Sequence, residues 1–239
     1  MLDYLVLALA GFGAGVVNTI AGGGTFLTFP ALIWAGVPPV AANATSTVAV
    51  FPGYLGGTLG YRQELRHLSR AQVLRLVAIT LAGGLVGSLL LLVSSNRAFA
   101  AIVPFLLGAR LRAWAESRAG GLRPEGALGL FAVSLYGGYF NGGLGIVLLA
   151  LFALWGWRDL HLMNGVKSGL SLALSAISVV TFALAGLVVW PMAMVMMLAS
   201  VLGGWAGAHV ARAVPAALVR AVVAAIGYGM GLVFLWRLF

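Results

Sequence analysis

Two stretches of this chain carry the same punctuation 121 positions apart, each inside an apolar segment broken by glycine. Gly22, Gly24, Trp34 and Asn43 in the first become Gly143, Gly145, Trp155 and Asn164 in the second, and Ser46 becomes Lys167. In a chain of 239 residues, a repeat of that period makes each half a version of the other. Paired halves with interrupted apolar helices are how many membrane transport proteins build a binding site where the breaks meet.

Solvent is the second constraint. Hydrophobic residues make up 62% of the chain and charged ones 8%, with a mean hydropathy of +1.07, too little polar surface to cover a soluble domain. Apolar stretches long enough to span a bilayer, such as 71–93 and 168–190, recur along nearly the whole length. The 34 glycines and the lack of two-residue alternation argue against an outer-membrane barrel and predict an all-α, polytopic helical membrane protein. Met1-Leu2-Asp3 carries no basic n-region, so the first segment is expected to be retained rather than cleaved as a signal. The absence of cysteine removes thiol catalysis and thiolate metal sites.

The net charge of +9 comes mainly from basic residues in short loops, a pattern that orients membrane proteins and calls for no nucleic acid. Segment 5–34 would be roughly 45 Å long as one helix, against a hydrocarbon core of about 30 Å. Gly22-Gly23-Gly24 interrupt it, and Gly142-Gly143 interrupt 127–155, so each segment is expected to form a hairpin of half-helices. A single tilted and kinked helix is the alternative. Further spans are expected at 43–61, 71–93 and from 98 onward in the first half, and at 162–184, 190–208 and 216–238 in the second.

Basic residues cluster after Tyr61 and between Arg110 and Arg123 in the first half, but at Arg158, His161, Lys167, His209, Arg212 and Arg220 in the second. If positive loops are cytoplasmic, the chain consists of two inverted repeats, each a glycine-broken hairpin followed by about three transmembrane helices. Residues 1–109 form the first repeat, 110–126 a basic cytoplasmic linker and 127–239 the second. The turns at 94–96 and 185–187, with both termini, are then extracytoplasmic.

Lys167 is the sharpest candidate for function, because it opens an apolar run that carries no other charge through Trp190. It either snorkels to the headgroups or faces a water-filled cavity as the cation of an anion site. Asn164, Lys167 and Ser168 share one helix face and supply amide, ammonium and hydroxyl donors; Asn43, Thr45 and Ser46 belong to the matched stretch of the first half. Gly22, Gly23, Gly24, Asn141, Gly143 and Gly145 are expected at unwound breaks whose backbone approaches a ligand. A half-helix beginning at Thr25, capped by its hydroxyl, would aim its positive end there, and Ile146 would open the second. The acidic residues all fall at span ends or in loops, and the histidines are peripheral, so no catalytic cluster, metal site or cofactor is expected and the chain reads as a non-enzyme.

In combination, Gly22-Gly23-Gly24 with Pro30, Gly36-Val37-Pro38 and Ala42-Asn43-Ala44-Thr45-Ser46 resemble the sulfite exporter TauE/SafE family of bacterial membrane permeases. In the second half Asn164-Gly165-Val166-Lys167 and the stretch from Gly203 to Arg212 carry the same resemblance, while Asn141-Gly142-Gly143-Leu144-Gly145 departs from a run of glycines. The resemblance implies a multi-pass protein of the bacterial inner membrane that exports a small anion such as sulfite or an organosulfonate. A proton-coupled importer of a small carboxylate or sulfonate is one alternative, and a non-transporting assembly or structural subunit is another.

Overall fold

Ten helices order the described part of the chain. The structure, a computed structural model, describes residues 2–20, 22–107 and 126–210. The helices are α1 (Leu2–Ile20), α2 (Thr25–Trp34), α3 (Pro39–Gly60), α4 (Arg62–Leu65), α5 (Arg70–Leu92), α6 (Asn96–Leu107), α7 (Ala127–Tyr139), α8 (Leu144–Leu154), α9 (Leu160–Leu184) and α10 (Trp190–Val210). The basic linker and the expected span 216–238 lie outside the described residues.

Both long apolar segments are two helices rather than one kinked helix. In the first half, however, the break falls late. Because α1 starts at Leu2, it has 19 residues and is long enough to cross a membrane, while α2 has 10. In the second half α7 and α8 are near equals of 13 and 11 residues. Each pair starts and finishes at one end of the molecule. Gly126 and Ala127 before and at the start of α7 line one cavity of about 120 Å3 with Trp155 and Trp157 beyond α8. Leu7 of α1 shares a buried cluster with Leu32 of α2 and with Val37 just past it.

Helix boundaries follow local chemistry that the expected spans passed over. α3 begins at Pro39, not Asn43: proline suits a first turn, where its missing N–H is not needed, and the Val40 N–H donates to Asn96 Oδ1 at 3.0 Å. Asp159 caps α9 by accepting from the His161 and Leu162 N–H groups, which starts that helix at Leu160 rather than Leu162. α5 opens on a capping box of Ser69 and Gln72. α8 starts at Leu144, two residues before Ile146, and the charged loop after Tyr61 winds into the single turn of α4. α2 and α8 end alike: Gly36 and Gly156 both take φ of +82°, which lets Val37 and Trp157 N–H reach back to the Leu32 and Phe152 carbonyls.

Packing repeats between the halves. α1 lies along α10 as α7 lies along α5, α3 meets α10 as α9 meets α5, and α3 packs against α9 in the middle. In the two outer pairs the helices run in the same direction with backbones touching. A Cβ at Gly203 would collide with the Phe12 carbonyl, and one at Gly87 with the Leu135 carbonyl. The buried side chains form two main clusters at opposite ends, one around Leu32, Phe99, Phe140 and Phe182, the other around Leu130, Phe152, Met163 and Val166. Outward faces remain apolar: Leu9, Leu74, Leu89, Val180 and Leu198 are all exposed, as lipid contact requires. Among the described residues, three helices are long and apolar enough to cross a membrane, Leu2–Thr19 within α1, Arg70–Leu92 and Leu160–Leu184.

Candidate functional site

The two glycine breaks touch. Gly22, with φ of +75°, stands so close to Gly145 that a Cβ on it would lie 3.2 Å from the Gly145 Cα. A Cβ on Gly145 would in turn lie 3.3 Å from the Gly22 Cα and 3.3 Å from Cδ of Lys167. Gly143, with φ of +73°, is the N-cap of α8 and packs on the Phe26 ring in the first turn of α2. Two helix N-termini therefore converge on one point. Neither has a side chain hydrogen-bonded as its cap. Their dipoles add positive potential there, next to the lysine stem.

Lys167 does not reach out to the surface of the protein. It is 4% exposed, and its ammonium donates to Asn164 Oδ1 at 2.9 Å, while Asn164 Nδ2 donates to the Leu160 carbonyl. None of the described acidic side chains pairs with it: Asp3 stands in the first turn of α1, Glu64 in α4 and Asp159 at the α9 cap. Burying an ammonium with one neutral partner is costly unless an anion completes the site.

Thr25 is not the cap of α2. The N-cap is Gly24, whose backbone is already helical, and the Thr25 hydroxyl is buried without a hydrogen-bond partner. Threonine at the first helical position has lost the extended backbone from which a cap reaches the next turn. Asn18 holds the loop instead, its Oδ1 accepting from Gly23 and Gly24 N–H at 3.1 and 2.7 Å. A Cβ on Gly24 would face the Ala14 carbonyl and the Asn18 amide, so this glycine admits close packing by α1.

The other candidates spread around this contact. Ser46 shares a hydrogen bond with Thr28, which reaches the Gly24 carbonyl, tying α3 to the first break. Asn141 accepts from the Tyr54 hydroxyl at 3.5 Å and donates to Ser175 at 3.3 Å, tying the second break to α3 and α9. Asn43 donates to the Tyr139 carbonyl at the end of α7, and its Oδ1 is buried and unpartnered. Thr45 accepts from the Val189 N–H and fastens the turn before α10, while Ser168 is buried on α9 one residue past Lys167. Asn18, Thr28, Tyr54 and Tyr136 escaped the sequence reading. The Tyr136 hydroxyl donates to the Gly142 carbonyl inside the second break. A polar side chain three or four residues before a glycine break is the signal that points to Asn18.

Comparison with known proteins agrees with the residues. The family model described as sulfite exporter TauE/SafE matches residues 7–234. A Sinorhizobium protein named "probable membrane transporter protein ORF9" is 27% identical over 236 residues, covering 95% of this chain and 90% of that protein. A "probable membrane transporter protein" of Haemophilus influenzae is 27% identical over 246 residues, covering 96% and 93%. The "probable membrane transporter protein YfcA" of Escherichia coli K12 is 27% identical over 231 residues, covering 92% and 83%. No solved structure matches the chain at a significant level. With a match that runs through both glycine breaks and Lys167, the chain belongs to the TauE/SafE family of multi-pass membrane proteins.

Proposed function

We propose that the chain exports a small oxyanion, of the sulfite or organosulfonate class, across the bacterial inner membrane. One observation carries this reading: the α2 and α8 N-termini meet through Gly22 and Gly145 with the buried Lys167 stem against them. Two positive helix ends and a lysine with only an amide for company form a site that wants an anion, and glycine lets its backbone come close. Gly22, Gly143, Gly145, Asn164 and Lys167 form its centre, with Gly23, Gly24, Thr25, Asn43, Ser46, Asn141 and Ser168 around it; Thr45 serves the neighbouring turn.

In this reading the halves, 1–109 and 127–239, are inverted repeats joined by a cytoplasmic linker, 110–126. The paired packing of α1 with α10 and α7 with α5, and the closure of the two helix pairs at opposite ends, support it. An inside-negative potential favours loss of a monoanion by about 2.3 kcal/mol per 100 mV, so export needs no coupling ion. The test is flux from proteoliposomes under an imposed potential, with and without a pH gradient, over sulfite, sulfoacetate, taurine and short carboxylates. Potential-driven efflux of sulfite or sulfoacetate that ignores the pH gradient is expected. Flux that requires the pH gradient would replace export by proton coupling, and no flux of any of them would remove the transport reading.

A further inference from the structure

Serine and threonine inside a helix often donate to the carbonyl four residues back, and in this protein Thr19, Thr28, Thr47, Thr58, Ser88 and Thr181 do so. Among the described residues, four buried helix hydroxyls have no hydrogen-bond partner at all: that of Thr25 at the first position of α2, described above, and three deeper within their helices. Thr80 on α5, Ser134 on α7 and Ser171 on α9 are 1%, 1% and 0% exposed, and none of their hydroxyls has a hydrogen-bond partner.

All three fall at one junction. α5 and α9 run in the same direction: a Cβ on Gly84 would lie 3.1 Å from Cγ of Leu174, and one turn on the Ser88 and Ser178 hydroxyls share a hydrogen bond at 2.8 Å. One turn back, Thr80 and Ser171 therefore stand at the same level. Ser134 joins them from α7, because a Cβ on Gly83 would lie 2.7 Å from the Ser134 Cβ. Leaving one hydroxyl unsatisfied in an apolar interior is costly, and three at one place call for a common partner.

The other half supplies an internal control. By packing, Gly203 meets the Phe12 carbonyl as Gly83 meets that of Phe131, so the counterparts of Thr80, Ser134 and Ser171 are Ser200, Gly15 and Val50. There the place is closed: Ser200 donates to the Ala49 carbonyl at 2.7 Å, Val50 is buried and apolar, and Gly15 has no side chain. Helix packing at this junction does not need three free hydroxyls.

We propose that Thr80, Ser134 and Ser171 form a second anion position, in which three neutral hydroxyls donate to the oxygens of the oxyanion. It deepens the transport reading and rests on it. Ser171 follows Lys167 by four residues on the same face of α9, so the position lies one turn from the lysine, toward the 185–187 turn. The sign of the ligand follows from the surroundings. Lysine and two helix N-termini make the region positive, and none of the described carboxylates, Asp3, Glu64 and Asp159, bonds to these hydroxyls, so the hydroxyl oxygens have no negative partner with which to hold a cation.

The test is thermal unfolding of the detergent-solubilised full chain with added sodium or potassium sulfite, methanesulfonate or acetate, alongside flux of the same anions. Wild type should gain thermal stability with an anion, irrespective of the cation. The triple variant Thr80→Val, Ser134→Ala, Ser171→Ala should be at least as stable as wild type without anion, since it loses unsatisfied groups, yet bind the anion about tenfold or more weakly. Ser200→Ala, whose hydroxyl is satisfied, should keep the anion response. A triple variant with the full wild-type anion response and flux would overturn the second position while leaving the transport reading intact. Stabilisation that follows sodium rather than the anion would also overturn it. A wild type unresponsive to every anion would remove the transport reading and this position together.

Discussion

Gly145 shows how one missing carbon can serve both fold and site. Its Cα touches Gly22 across the break, and its open side receives the Lys167 stem, so any side chain must displace one or the other. Gly145→Val is expected to cut anion flux severely, with a stability loss of about 1 to 3 kcal/mol from overpacking; flux at the wild-type level would mean that the contact is not part of the route. Gly24 behaves differently, since its missing Cβ faces α1, and Gly24→Val should lower folding yield before it touches affinity. Asn18→Ala removes the acceptor for two backbone donors of the first break and should loosen it, seen as faster hydrogen exchange at Gly23 and Gly24. The glycines, Asn164 and Lys167 were legible as a candidate site because they break the apolar pattern at matched places. Asn18, Thr80, Ser134 and Ser171 were not, because what distinguishes them is which bonds they make across helices, and spacing does not encode that.

At the scale of the element, the apolar runs and glycine punctuation were enough to foresee the long helices among the described residues, and the errors there lie at their ends. Pro39 and Asp159 each extended a helix toward its N-terminus by a first-turn preference that hydropathy ignores. The late position of Gly22 made α1 a full-length helix rather than a half. What the sequence did not display is the direct backbone contact between parallel helices. Gly203→Ala drives a methyl into the Phe12 carbonyl and is expected to destabilise the α1–α10 pair by at least about 1 to 3 kcal/mol. Gly53→Ala, where nothing lies within 4 Å, is expected to be neutral or stabilising by up to about 1 kcal/mol. Equal melting temperatures for the two variants would contradict this account of the packing.

The whole molecule brings two helix pairs, closed at opposite ends, into contact at their glycine breaks. If the halves are inverted across the membrane, single cysteines at His67 and Ala185, both exposed in loops and introduced into a chain with no native cysteine, should label from opposite sides, His67→Cys from the cytoplasm. Labelling of both from one side would exclude that arrangement. The central claim is that this contact is an anion site with Lys167 as its fixed charge, and calorimetric titration of wild type and Lys167→Met with a transported anion tests it most directly. Methionine keeps the apolar stem against Gly145 and removes the charge-assisted bond, worth about 2 to 3 kcal/mol, so affinity should fall roughly 30- to 150-fold with little change in thermal stability. Lys167→Arg should recover part of the loss, because the charge returns with a different shape. Equal affinity in wild type and Lys167→Met would contradict the claim.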